Sequence, residues 1–162
     1  DTLAGPTSSQ FHRPARPTAV RMYSRNHALL SAAVGVPVAF AAPDGASAPL
    51  LWFYALALGV GIDFDHFLIA RLNRGTWRPL RRCLADPAIV FFDQHAIFEP
   101  EDLRRDQRLL SHHIVGGALV AALWTVAPYW ALATAATLYV HVVADLYADV
   151  RDRSSAEGGA GA

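Results

Sequence analysis

Charged side chains vanish from the chain between Ala28 and Pro43 and again between Gly45 and Ile62. Apolar runs of this length predict helices buried deep in a core or set in lipid. The "PDG" at residues 43–45 supplies a turn, so the two runs read as a helical hairpin. A third charge-free run, Ile114 to Val140, is interrupted by "APYW" at residues 127–130, where Pro128 suits the first turn of a new helix. That predicts a second hairpin, with one long kinked transmembrane helix as the alternative. Each hairpin helix offers about 15–18 apolar residues, the low end of what spans a hydrocarbon core of roughly 30 Å.

The placement of arginine favours the membrane over a soluble core. Arg21 and Arg25 precede the first run, eight arginines from Arg71 to Arg108 lie between the hairpins, and Arg151 and Arg153 follow the last run. With two hairpins every arginine falls on one side, as the positive-inside rule requires when both termini are cytoplasmic. Trp52, Phe53 and Tyr54 near one turn, and Trp124, Tyr129 and Trp130 near the other, suit an interfacial aromatic belt. The expected fold class is therefore all-α: a four-helix transmembrane bundle of two helical hairpins, multi-pass in the cell membrane. The segment from Phe67 to Ser111 mixes Arg with Leu, Trp and Phe around "RLNRGTWRPLRRCL". It reads as a cytoplasmic amphipathic connector, lying on anionic head groups or packed on the bundle. Pro87 and Pro100 predict short helices and loops in its second half.

Residues 1–22, rich in Pro, Ser, Thr and Arg, bury too little to order themselves and read as a disordered arm. Met22, the sole methionine, stands where a natural start is expected. No secretory cleavage pattern follows the first apolar stretch. The domain proper is expected over residues 23–152, with a mobile tail at 153–162.

Composition narrows the function classes. Of 162 residues 53% are hydrophobic and 17% charged, and the net charge of zero gives no reason to expect nucleic acid as a partner. The single cysteine, Cys83, excludes an internal disulfide and a Cys-cluster metal site, and reads as an ordinary intracellular thiol. The HExxH, P-loop, GxSxG and GxGxxG fingerprints are all absent.

The remaining titratable groups form a pattern. On the two-hairpin plan His27 begins the first helix; Asp63, Asp65 and His66 in "GIDFDHFLIA" end the second; His112 and His113 begin the third; and His141 and Asp145 end the fourth. An up-and-down bundle returns to the same face after every second helix, so all of them fall at one level on the arginine side. A single long helix would instead separate His141 from His112, so this convergence itself favours the hairpin. His141 and Asp145 are four apart and Asp63 and His66 three apart, each pair on one helix face. Imidazole with carboxylate is a donor set for Zn, and also for Mn or Fe, whereas Ca would take oxygen donors. A bound divalent ion would offset the cost of several carboxylates at an apolar boundary. His27, Asp63, His66, His112, His141 and Asp145 are the expected ligands. His113 is expected in a supporting or packing role, His95 lies in the connector and is only a minor candidate for leaning over the site, Asp149 is expected to be solvated, and His12 carries no signal.

At these residues the chain resembles a family, the membrane-bound metal-dependent hydrolases described as LexA-binding, inner-membrane-associated hydrolases, distantly similar to zinc-dependent phospholipase C. The resemblance covers roughly Asn26 to Asp149. "NHALLSAAVG" is similar to the family's opening His before an apolar helix, "IDFDHF" to its Asp-x-Asp-His box, "LLSHHIVGG" to its Thr-His-Ser element, and "HVVAD" to its closing His-x-x-x-Asp. The chain departs from the family at Gln107, which stands where a histidine is common, and at His113, which replaces the Ser.

The function expected is a divalent-metal hydrolase at the cytoplasmic face, acting through a metal-activated water on a phosphoester or phospholipid-type substrate. Asp65 would bridge or act as general base, and Arg108 or an arginine of the 71–82 cluster would neutralise a phosphate. Membrane lipid is the expected surrounding, and self-association is compatible with the topology. A second reading, from another class, is a non-enzymatic membrane protein whose cluster holds a structural metal or a partner peptide. A third is a proton or ion relay, for which four short helices are meagre without oligomerisation.

Overall fold

The computed structural model describes residues 24–93, 96–99 and 101–158. The expected N-terminal arm, Met22, His12 and His95 lie outside the described residues. Among the described residues the fold is all-helical: α1 (Ser24–Phe40), α2 (Ala48–Gly61), a 3₁₀ turn (Ile62–Phe64), α3 (Asp65–Arg74), α4 (Arg78–Ala85), α5 (Ile89–Phe92), α6 (Arg105–Val126) and α7 (Pro128–Gly158).

Local chemistry explains most boundaries. Ser47 caps α2, its hydroxyl accepting from the Leu50 N–H at 3.4 Å. Gly75 ends α3 in the left-handed conformation, φ 72°, where the absence of a Cβ removes the steric cost. Ala127 alone separates α6 from α7, and Pro128 opens α7 where its missing N–H costs nothing. The chain reverses there: His112 and His141, 29 residues apart, have ring centroids 5.0 Å from one another. A continuous helix at about 1.5 Å per residue would hold them some 40 Å apart. α7 continues past Ser154, where the sequence predicts a tail, to Gly158.

α1 packs along α2, α6 along α7, and α7 also touches α1 and α2. The buried stripe of α1 is Ser24, His27, Ser31 and Gly35, a helical spacing of small and polar residues. Opposite it, Gly59 approaches so closely that a Cβ there would lie 1.6 Å from Ser31 Oγ. Small residues at such crossings let backbones meet, the packing device of helices in lipid. Trp52 Nε1 donates to the Ala32 carbonyl at 3.0 Å, Tyr54 and Thr134 share a hydroxyl hydrogen bond of 2.5 Å, and the Tyr129 hydroxyl donates to the Val38 carbonyl.

The distribution of polarity is inverted relative to a soluble domain. Phe40, Val126 and Tyr139 are 88%, 78% and 72% exposed, while His27, His112, His141 and Asp145 are 2% exposed or less. Three helical stretches, Ala48–Arg74, Arg105–Val126 and Pro128–Arg151, are long and apolar enough to cross a membrane, which suggests a membrane protein. α1, at 17 residues, is shorter.

The connector folds onto α3. Phe67, Cys83 and Ile97 form a small buried core, with Leu80, Ile89, Val90 and Phe98 packed against it. The apolar face of α4 is thus turned toward protein, the packed of the two arrangements expected for it. Arg74 pairs with Glu101 at 2.7 Å, Arg78 pairs with Glu99, and Arg82 NH1 donates to the Ala96 carbonyl at 3.1 Å. These partly exposed contacts fix the loop more by number than by strength, since each surface pair contributes about 0–1 kcal/mol.

Candidate metal centre

Four helices and the 3₁₀ turn each deliver part of one cluster: His27 from α1, Asp63 from the turn, Asp65 and His66 from the first turn of α3, His112 from α6, and His141 and Asp145 from α7. The turn leads straight into α3, and residues three apart along a helical stretch share a face. Asp63 Oδ1 and His66 Nε2 accordingly face each other at 3.8 Å. Along α7 the α-helical repeat puts His141, Asp145 and Asp149 on one buried face, each four residues apart.

Two donor groups emerge whose ligand atoms lie within 4.8 Å of one another: His27, His141 and Asp145; and Asp63, His66 and His112. They adjoin. Asp63 Oδ1 is 3.4 Å from both His112 Nε2 and His141 Nε2. Asp145 Oδ1 is 3.3 Å from His27 Nε2, and Asp145 Oδ2 is 3.7 Å from His141 Nε2 and 3.8 Å from His112 Nε2. Zn–N bonds of about 2.0–2.1 Å imply tetrahedral ligand–ligand separations of about 3.3–3.4 Å. The shortest of these separations match a coordination shell better than they match hydrogen bonds.

The hydrogen bonds behind the rings settle which nitrogens face inward. His141 Nδ1 lies 2.9 Å from the Gly59 carbonyl, which can only accept. His112 Nδ1 lies 2.8 Å from Asp65 Oδ2, a carboxylate oxygen. In the neutral imidazole each ring donates from Nδ1, leaving a lone pair on Nε2 aimed at Asp63 and Asp145. Lone pairs facing carboxylates repel unless a proton or a metal ion stands between them. Consistent with that, His66 Nε2, His112 Nε2, His141 Nε2, Asp65 Oδ1 and Asp145 Oδ2 are buried without a hydrogen-bond partner in the protein. Leaving such atoms unpaired costs about 1–3 kcal/mol each. Buried His and Asp groups here could therefore hold a metal ion.

Charge points the same way. Four carboxylates, Asp63, Asp65, Asp145 and Asp149, meet two guanidinium groups, Arg105 and Arg108, so carboxylate outnumbers arginine around the cluster and a cation would be welcome there. Arg108 NH2 donates to Asp149 Oδ2 at 3.1 Å, and Arg108 Nε lies 3.6 Å from Asp145 Oδ2. Asp149 is thus buried and holds an arginine, in contrast to the solvated residue expected from sequence. Its signal was the continuation of the His141–Asp145 spacing by four more residues.

The structure brings together all six expected ligands, and with them Asp65 and Arg108. It leaves His113 outside: that ring is exposed and its Nδ1 bonds the Leu109 carbonyl on its own helix at 2.7 Å. Gln107 also faces elsewhere. Its amide exchanges two hydrogen bonds with Asn73, 2.8 Å and 3.0 Å, and its Oε1 accepts from the Arg104 N–H at the start of α6. Beside the cluster a cavity of about 160 Å³ opens, lined by His27, Asp63, His66 and Asp145 and by apolar side chains. Of the apolar residues, Phe64 and Phe67 belong to the "IDFDHF" motif, whereas Val90, Ile97 and Phe98 come from the connector and carry no sequence motif.

Comparison with protein-family models, with curated proteins and with solved structures finds no match.

Proposed function

We propose that this protein is a membrane-bound metal-dependent hydrolase, acting on phosphoester-type substrates, phospholipids among them. The observation that carries the reading is the convergence of three unpartnered Nε2 atoms, from His66, His112 and His141, on Asp63 and Asp145. His27 completes the donor set at Asp145. Zinc suits these donors best, and manganese or iron would accept them too.

When bound, a divalent ion supplies Lewis acidity toward a phosphoryl oxygen and acidifies water. Asp65 orients His112 through Oδ2, while its unpartnered Oδ1 is the oxygen available to take a proton. Asp149 fixes Arg108 beside the centre, where a guanidinium neutralises a phosphate. Val60 and Phe64 line the cavity and limit water around the reacting groups. A purely structural metal site would be closed by four protein donors, and the cavity beside His66 and Asp145 favours the catalytic reading over it.

In this proposal all four long helical stretches cross the cell membrane as two hairpins, with both termini, the connector and the metal centre cytoplasmic. α1, at about 25 Å, spans with the help of local bilayer thinning. Reporters fused in the turn after Gly45 and after Gly158 are expected to report opposite sides; the same side for both would overturn the topology.

Elemental analysis of the detergent-purified protein beside a His141→Ala, Asp145→Ala double variant tests the centre. Metal retained by the parent and lost by the variant is the expected result, whereas equal, negligible metal in both refutes the proposal.

A further inference from the structure

The cavity beside the centre has two unlike halves, and the apolar half is supplied in part by the connector, which the hydrolase reading leaves without a role. Its polar side is the metal cluster with Arg105 and Arg108 at the edge. Its apolar lining is Val60, Phe64 and Phe67 together with Val90, Ile97 and Phe98 of the connector. The two halves touch. The Phe98 ring meets the His66 ring edge-on at 6.0 Å and the Phe67 ring at 5.2 Å, so the apolar wall begins at a ligand side chain.

A small water-soluble phosphoester would gain nothing from such a wall and would leave it wetted. At about 160 Å³ the cavity is far larger than the roughly 10–15 Å³ that admits a single water. Arg108 lines the cavity, its NH2 held by Asp149 at 3.1 Å and its Nε 3.6 Å from Asp145 Oδ2, so a guanidinium is fixed beside the space where an anion would sit. An anion and an apolar chain are therefore accommodated within one ligand length of each other.

We infer that the site takes an anionic amphiphile, its phosphate at Arg108 and the metal cluster and its hydrocarbon tail against Val90, Ile97 and Phe98, so that the connector determines specificity for the tail. The inference rests on the hydrolase reading for the position of the phosphate. It goes beyond that reading in requiring the tail to be bound by protein at the connector, where a soluble ester would need no such wall.

The test uses the detergent-solubilised full chain and three probes: inorganic phosphate, butyl phosphate and octyl phosphate, with binding followed calorimetrically and metal content measured on the same samples. Affinity is expected to rise with chain length, by up to roughly fourfold for each methylene the wall covers. Val90→Ser is expected to flatten that rise while leaving inorganic phosphate binding and metal content as in the parent, and Phe98→Ala, whose ring also meets His66, is expected to flatten it too. Arg108→Gln is expected to weaken all three probes by a similar factor. Partition into detergent is common to parent and variants, so a chain-length dependence that both wall variants retain unchanged overturns the inference, as does equal affinity for inorganic and octyl phosphate. Metal-free parent protein with the Phe98-dependent rise intact would sink the hydrolase reading and leave the amphiphile site standing.

Discussion

Asp65 Oδ2 lies 2.8 Å from Nδ1 of His112, the ring nitrogen that does not face Asp63 and Asp145, while Asp65 Oδ1 lies 3.6 Å from His66 Nε2. The carboxylate therefore acts on the centre through the histidine, fixing its tautomer and orientation so that Nε2 faces Asp63 and Asp145. Substituting Asp65→Asn keeps the shape but weakens this contact. Metal affinity is expected to fall by about 10–100-fold with full occupancy recovered at high metal, while His112→Ala removes a ligand and lowers occupancy itself. Metal titration of both variants separates the roles; an Asp65→Asn protein that binds metal like the parent would show that the hydrogen bond is idle.

Gly59 serves the centre from behind and the bundle at the same time. Its carbonyl receives the His141 Nδ1 hydrogen bond, and its missing Cβ makes room for Ser31 Oγ, which a methyl would approach to 1.6 Å. Gly59→Ala is expected to destabilise the protein by about 1–3 kcal/mol, the usual range for overpacking. It should also weaken metal binding by displacing His141. Adding Ser31→Gly relieves the clash, so the double variant should recover most of the loss in a thermal unfolding assay in detergent.

Gln107→His adds an imidazole close in sequence to His112, and the geometry predicts no gain in metal binding from it. Gln107 faces Asn73 and the start of α6, away from His66 and His112. The variant should bind no additional metal and should lose about 1 kcal/mol with the amide pair. A gain in metal stoichiometry would contradict the placement of this side chain.

Burial of Cys83 against Phe67 and Ile97 raises the pKa of its thiol. Because the folded state favours the neutral thiol, its contribution to stability is fully present below the ordinary thiol range, near 8.5, and is lost as pH rises through the raised value. Alkylation of Cys83 is thus expected to be slow at neutral pH, to accelerate with alkali, and to become fast in denaturant. Ile97→Ala should accelerate it at neutral pH by loosening the connector; labelling at the denatured rate in the parent would mean that the connector is not docked.

Much of the His/Asp cluster was legible in the sequence because its side chains obey helical arithmetic. His141 and Asp145 sit four apart, Asp63 and His66 three apart, and Pro128 marks the reversal that lets His112 meet His141. Helical spacing and a break between apolar runs are local properties, and local properties are written in residue order. The lengths of the apolar stretches likewise announced helices able to cross a membrane.

What only the tertiary structure decided depends on atoms distant in sequence. Nothing in residue order says that Asp65 turns an oxygen to His112, 47 residues on, or that Gly59 lends a carbonyl to His141, 82 residues on. The same holds for Gln107, which motif comparison placed near the ligands and side-chain geometry pairs with Asn73. The connector is the clearest case. Its proline-broken segments have no period to read, and Val90, Ile97 and Phe98 line the cavity beside the His/Asp cluster because a small core around Phe67 and Cys83 holds them there. Periodicity places a side chain on the face of its own helix; which face of another element it meets is set by packing, the sum of many weak contacts that no short stretch of sequence contains.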